Sequence, residues 1–343
     1  MRKREHIEIS DKKNMAKEKV VKENLCEQTD DTICKSFCLE KIKDLQHGEN
    51  KYQKAALYKN NYMLDYEVID NKELSFNNMI SMTVVMDIVS EFYDVNAAAI
   101  VRHAKLCGAA LGKTIYDAYT KAFDCDPLSS YNGTIGFSKT VDIDVAKHIS
   151  SLSARVIIAP DYEPEALNIL RETEDLKIVK INTPLENYKD YLVKDIVISP
   201  FGTLVQDKNR SSLDKDLFKV VTKTKPSTEQ IEDAIFAWNL VKHVKTNAAV
   251  VVKDFKMLAV GQGYTNTLFA VERVLDYACD DAKEAVLAVD DVLMTEESIY
   301  AAAQGRISLI IQPGGSLKDT SLIEMADKYN IAMITTGIKN LKL

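Results

Sequence analysis

The chain writes one pattern twice, and that repetition restricts its fold more than any other feature. The stretch "AAIVRHAKLCGAALGKTIYDAY" (98–119) is echoed by "AAVVVKDFKMLAVGQGYTNTLFAVERVLDYA" (248–278). Each reads as an apolar strand, a polar turn, glycine and a helix. Further on, "RVIIAPDYEPEALNIL" (155–170) is echoed by "SLIIQPGGSLKDTSLIEMA" (308–326). Ala99 and Val250 lie 151 residues apart, and Pro160 and Pro313 lie 153 apart. An offset kept across two separate motifs implies two units of one topology. Short β-branched runs alternating with helical patterns make that topology α/β, with strands covered by helices on both faces. The join falls between Ile198 and Glu229, where turn and cap residues gather.

Other classes drop out on composition. A formal net charge of -7 opposes broad affinity for nucleic acid, which needs clustered, uncompensated Lys and Arg. No apolar run approaches the ~20 residues that span a bilayer, so no membrane partner is expected and the cytoplasm is the expected location. Six cysteines (26, 34, 38, 107, 125 and 279) do not form a disulfide framework. The Cys34–Cys38 pair lacks a second pair or a nearby His, so no metal site is expected. Residues 1–44 are highly charged and read as an extension outside the core.

Ligands in such sheets collect where a strand hands over to a helix N-terminus. Four segments read that way: 102–112, 126–133, 261–267 and 312–318. "GQGYTN" lacks the third glycine of a dinucleotide fingerprint, which argues against a nicotinamide site.

Taken in order, "KELSFNN", "RHAKLCGAALG", "AFDCDPLSSYNG", "IIAPDYEPEAL", "FGTLVQD", "VVTKTKP", "AWNLVKHVKTNA", "AAAQGRISLIIQPGGSLKD" and "YNIAMITTG" resemble the AICAR transformylase family. AICAR is 5-aminoimidazole-4-carboxamide ribonucleotide, a purine precursor. The resemblance runs from about Leu45 to the C-terminus. It implies duplicated cytidine-deaminase-like three-layer α/β/α units, over 45–205 and 206–343. It implies transfer of a formyl group from 10-formyltetrahydrofolate to the AICAR amine, without the cyclohydrolase activity of bifunctional members. A homodimer is implied as well, because family sites form between subunits; an intact paralogue is the other partner considered.

The family's catalytic Lys-His pair falls on Arg102 and His103. The amine must shed a proton as it attacks, and imidazole titrates near neutrality. Arg102 offers positive charge to an oxyanion but cannot donate a proton. Asn247 matches the family Asn that orients the reacting groups. The same resemblance assigns substrate contacts to Gly48, Asn50, Asp126, Ser129, Tyr131, Asn266, Pro313, Gly314 and Gly315.

Departures cluster at ligand positions. Gln46 and His47 stand where the family has Arg and Tyr, and Thr267 where it has Arg. Tyr131 replaces Phe, and Arg155 replaces an acidic residue. Val292, Leu293 and Met294 replace Phe-Phe-Pro, leaving Asp290 as the remnant of the folate-side loop. Two readings follow: a formyltransferase with a remodelled pocket, or a weakly active or inactive paralogue acting as a partner.

Overall fold

The structure, a computed structural model, describes residues 40–60, 62–191, 194–213 and 218–343. The charged extension up to residue 39 and the Cys34–Cys38 pair lie outside the described residues.

A hairpin of β1 (Glu40–Leu45) and β2 (Ala55–Lys59) precedes β3 (Tyr66–Val68). The first half continues with α1 (Phe76–Val89), β4 (Asn96–Arg102), β5 (Lys105–Gly112), α2 (Ile115–Cys125), a one-turn α3 (Pro127–Ser130) and β6 (Thr134–Phe137). It closes with α4 (Ile143–Ser150), β7 (Val156–Ala159), α5 (Pro164–Arg171) and β8 (Lys177–Ile181). A short α6 (Tyr188–Tyr191), a separate hairpin of β9 (Lys194–Ser199) and β10 (Gly202–Asp207), and β11 (Lys219–Val220) lead onward. The second half runs α7 (Thr228–Val241), β12 (Ala249–Lys253), β13 (Lys256–Gly261), α8 (Thr267–Ala278), β14 (Val286–Val289), α9 (Glu296–Gln304), β15 (Leu309–Gln312), α10 (Asp319–Lys328) and β16 (Ala332–Thr335).

Twelve strands form one sheet in the order β11-β16-β15-β14-β12-β13-β5-β4-β6-β7-β8-β3. The order reads outward from the β13–β5 seam in the same sense on both sides. There the strands meet antiparallel, with Lys256 opposite Ala110 and the Leu111 N–H donating to the Phe255 carbonyl at 2.9 Å. Within each half three strands run parallel, β6-β7-β8 and β14-β15-β16.

Alternation along the strands builds three layers. Ala97, Ala99 and Val101 of β4 and Val250 and Val252 of β12 join α1 and α7 in one core shared by both halves. Ala98 and Ile100 face a second core with α2, α4 and α5, while Ala249 and Val251 face a third with α8, α9 and α10. Both α1 and α7 begin on the same device, a capping box from Ser75 with Asn78 and from Ser227 with Gln230. Among the described residues no helix is long and apolar enough to cross a membrane.

Two of the four expected strand-to-helix turns are something else. Segment 102–112 is a tight hairpin turn followed by a whole second strand, because "LCGAAL" is small and apolar on both faces and fits the sheet interior. Segment 126–133 runs from α2 through α3 into β6. Gly108 and Gly112 therefore serve packing: a Cβ at Gly108 would lie 1.8 Å from the Ala122 carbonyl oxygen, and one at Gly112 2.2 Å from the Ala118 nitrogen.

A buried ionic cluster ties the halves together. Glu91, just after α1, accepts from Lys242 (2.6 Å) and His243 (3.0 Å) at the end of α7, and from Lys189 (2.8 Å). Burial alone would raise the Glu91 pKa, but the His243 hydrogen bond and the Lys242 charge outweigh it and hold the carboxyl far below its ordinary range. Burial pushes both His243 and Lys242 below their ordinary values.

Candidate functional site

Strands β4 and β5 are joined by only two residues, His103 and Ala104, both at positive φ (51° and 57°). Such mirror-image turns normally take Asn-Gly, because a side chain in the left-handed region is strained by about 1 kcal/mol or more. Here the strain projects an exposed imidazole from the end of two buried strands. Non-glycine residues held in this conformation concentrate at functional sites.

The turn opens on a cavity of about 380 Å³. Arg102, His103, Lys105 and Cys107 line it from the hairpin, and Cys125, Asp126 and Ser129 from the end of α2 and from α3. The second half supplies Gln262 and Tyr264 from the β13–α8 connection and Arg273 and Tyr277 from α8. Asp126 is fixed by two roles: it caps α3 by accepting from the Ser129 N–H at 2.9 Å, and it holds the Tyr277 hydroxyl. Burial first, then the Asp126 charge and that hydrogen bond, raise the Tyr277 pKa. Gln262 crosses the seam to donate to the Leu106 carbonyl at 3.0 Å.

Both thiols in the cavity are shifted toward their protonated form. Burial, reinforced by the Asp126 charge, pushes Cys107 up to about 11 and Cys125 up to about 12, so both are protonated at neutral pH. Cys107 lies in strand β5 itself, in its buried stretch.

Asn247 stands one contact away. Its side-chain amide donates to the Tyr264 carbonyl at 3.1 Å and accepts from the Thr267 hydroxyl at 3.3 Å. Thr267 is buried. It is therefore an inward-facing strut for Asn247, and an Arg there would break that contact. Asn266 caps α8, accepting from the Phe269 N–H at 2.9 Å.

The remaining expected residues fall in separate places. Gly48 and Asn50 form the β1–β2 loop, where Asn50 turns onto the Gln53 side chain and Asn77 of α1 reaches the Glu49 carbonyl. Tyr131 lines a different depression with Ser151, Ser153 and Glu172. Pro313, Gly314 and Gly315 form the β15–α10 turn, whose Gly315 N–H donates to Asp319 at 2.7 Å. Asp290 is fully buried, accepts from the Ala248 N–H at 2.8 Å and offers its carbonyl to the Asn340 N–H. It braces the end of β14.

Sequence reasoning missed Lys105, Gln262, Tyr264, Arg273 and Tyr277. For α8 a signal exists: Phe269, Arg273 and Tyr277 recur every four residues and form an exposed stripe beside the buried Ala270, Val271 and Val274. What that stripe faces depends on the seam between halves. Among the described residues no group of His, Cys, Asp and Glu is arranged to hold a metal.

Known proteins share this pattern over most of the chain. The chain is 39% identical over 311 residues to the bifunctional purine biosynthesis protein PurH of Thermoanaerobacter sp. (strain X514), covering 90% of this chain and 60% of that protein. The PurH of Caldicellulosiruptor saccharolyticus is 38% identical over 311 residues, covering 89% and 60%, and that of Caldicellulosiruptor bescii 38% over 322 residues, covering 91% and 62%. The chain thus spans about three-fifths of the length of these relatives. Among solved structures, Acinetobacter baumannii RibD aligns at a TM-score of 0.22 and 13% identity over 30% of this chain and 33% of that one, too little to bear on the fold. The family model described as the AICARFT/IMPCHase bienzyme matches residues 9–276, a span that takes in the strained turn, Asp126, Asn247 and Arg273, and the chain belongs to that family.

Proposed function

We propose that the cleft at the β4–β5 turn binds AICAR and a 10-formyl folate and moves the formyl group to the AICAR amine, the formyltransferase step of purine synthesis. One observation carries this reading: Arg102 and His103, at the place of the family's Lys-His pair, share a cavity with Asp126, Ser129 and Tyr264, and Tyr264 holds Asn247. The amine nitrogen attacks the formyl carbon, whose oxygen becomes an oxyanion opposite the Arg102 guanidinium. The His103 imidazole takes the amine proton, the carbon–nitrogen bond to the folate breaks, and the leaving folate nitrogen receives a proton. Arg102 stays charged throughout, so the imidazolium must return that proton. With one group serving both transfers, turnover is at least ~100-fold below that of a Lys-His enzyme, the lower scale for losing a positioned proton-transfer group.

A formyl-transfer assay tests it. Measurable turnover that vanishes in His103→Ala supports the reading, and turnover equal in His103→Ala and the unaltered protein refutes it. The alternative, a non-catalytic partner, draws on the Asn247 amide being engaged by Tyr264 and Thr267. Binding of AICAR with no turnover identifies that case.

The same proposal takes the two halves as cytidine-deaminase-like units, over 45–205 and 206–343, of a cytoplasmic homodimer. Support for a second copy comes from the β9–β10 ribbon, which leaves Ile198 84% and Phe201 101% exposed, with Leu204 beside them. A lone two-stranded ribbon with such side chains needs a partner surface. Sedimentation at micromolar concentration gives a dimer, and a monomer overturns this part.

A further inference from the structure

We infer that Glu91 is a positioning residue for the proposed formyl transfer: from the first half it fixes the end of α7, and through that end it sets where Asn247 stands in the second. The inference rests on the formyltransferase reading for the role of Asn247. The mechanical link itself stands on bonded contacts within the protein.

The link begins at matching places in the repeat. Helices α1 and α7 are both 14 residues long and start at Phe76 and Thr228, an offset of 152. Glu91, two residues past α1, therefore corresponds to His243, two residues past α7. These equivalent residues bond to each other across the join, Glu91 Oε1 to His243 Nε2 at 3.0 Å. Lys242 closes on the same oxygen at 2.6 Å with a side chain only 1% exposed, and Lys189 holds the other oxygen at 2.8 Å. A buried carboxylate held by three donors is tightly placed, because each lost contact leaves a charge without water. Two of those donors are the consecutive residues on which α7 ends. Glu91 thus fixes both the end of the helix and the direction in which the chain leaves it.

Only three residues separate His243 from Asn247, and each is held. Val244 is buried in the shared core, the Lys245 carbonyl accepts from the Gly263 N–H at 2.8 Å, and the Thr246 N–H donates to the Lys342 carbonyl at 2.9 Å. A shift at His243 therefore reaches Asn247 with little slack to absorb it. Asn247 pairs its backbone with Tyr264, N–H to carbonyl at 3.2 Å in both directions, and Tyr264 lines the cavity that His103 overlooks. An amide that orients two reactants must be placed closely, since a misplacement of about 1 Å costs on the order of 100-fold in rate. At the same offset of 152, Val95 stands in the first half where Asn247 stands in the second. The carboxylate thus comes from the half that lacks the amide at this place.

Glu91→Gln alone strands the Lys242 charge, so the test pairs Glu91→Leu with Lys242→Met, which removes both charges together. This double variant, Asn247→Ala and the triple variant are compared with the unaltered full chain by thermal melting, AICAR calorimetry, formyl-transfer kinetics and amide hydrogen exchange. The double variant should melt cooperatively, bind AICAR within about 2-fold of the unaltered protein and lose kcat by about 10-fold or more. In the Asn247→Ala background the same two changes should move kcat by less than about 2-fold, because the residue through which Glu91 acts is gone. Losses that multiply, an unchanged kcat, or weaker AICAR binding with kcat intact overturn the inference. Glu91→Gln keeps an acceptor for His243 without the charge; it should retain an intermediate kcat, and it serves alone if the double variant does not fold. If the unaltered protein transfers no formyl group, the formyltransferase reading falls and hydrogen exchange decides the link. The Asn247 and Ala248 amides, bonded to Tyr264 and Asp290, should then exchange about 10-fold faster in the double variant, while Asp254 and Phe255, held by Asp233, keep their rates. Equal exchange at Asn247 in the two proteins overturns it.

Discussion

The two halves carry the same tight turn and use it oppositely. In the second half, Asp254 and Phe255 take the place of His103 and Ala104, again both at positive φ (52° and 55°). There the turn is stapled: the Asp233 carboxylate on α7 accepts from both backbone N–H groups, at 2.9 and 2.7 Å. The matching place on α1 is Ser81, six residues after the cap just as Asp233 is, and among the described residues it makes no hydrogen bond to the His103 turn. The stapled turn packs Phe255 against the shared core, whereas the unstapled one exposes an imidazole to a cavity. One geometry thus serves as a structural joint in one half and as the rim of the site in the other.

Changes at four places break or sharpen this comparison, three of them with a companion substitution. The largest effect is expected at Gly108, where α2 presses on β5 of the site-bearing half. Gly108→Ala forces a methyl group into the Ala122 carbonyl and should cost well over ~3 kcal/mol, or abolish soluble expression, because backbone must move. The second half already has Ala259 at the matching strand position, so Ala259→Gly should cost only about 1 kcal/mol by urea unfolding.

Next comes the tie between the halves. Glu91→Gln leaves Lys242 buried without its counter-charge and should cost about 3–5 kcal/mol. This cluster also sets a pH dependence. The His243 pKa is depressed in the folded chain, so the unfolded chain binds more protons, and stability present above the ordinary imidazole value of about 6.5 is lost as pH falls below it. Glu91 is depressed too: its contribution is present above the ordinary carboxyl range and drains as pH falls toward its folded value. Unfolding midpoints should therefore drop from pH 7 to pH 5 and more steeply below. His243→Gln should flatten the upper part, and a midpoint rising on acidification would contradict the assignment.

Asp233→Ala removes the staple and leaves two N–H groups unpaired, for about 2–3 kcal/mol. Ser81→Ala in the other half should cost under ~1 kcal/mol. Equal losses would mean that the two turns are held alike. The smallest effect is expected for Ala104→Gly, which relieves left-handed strain and should stabilise by about 0.5–1 kcal/mol, visible as a small rise in melting temperature.

Much of this was legible in the residues. The 151–153 offset is matched by the like order of strands on either side of the β13–β5 pairing, and "RHAKLCG" located the turn that lines the cavity. The helix content assigned after that turn failed because small residues such as Gly108, Ala109 and Ala110 satisfy an interior strand as well as a helix, and periodicity cannot separate the two in a short apolar run.

What the sequence alone determined is everything that depends on neighbours along the chain: the order of strands and helices, the capping boxes at Ser75 and Ser227, and the adjacency of Arg102 and His103 at the turn. What only the tertiary structure decided is everything that depends on the seam. The β13–β5 pairing brings Arg273 and Tyr277, about 170 residues downstream of the turn, to the cavity that His103 overlooks. It also shows that Asn247 is held by Thr267. Local patterns encode which element forms. The contacts that turn elements into a site are set by long-range strand pairing, whose register no local pattern carries.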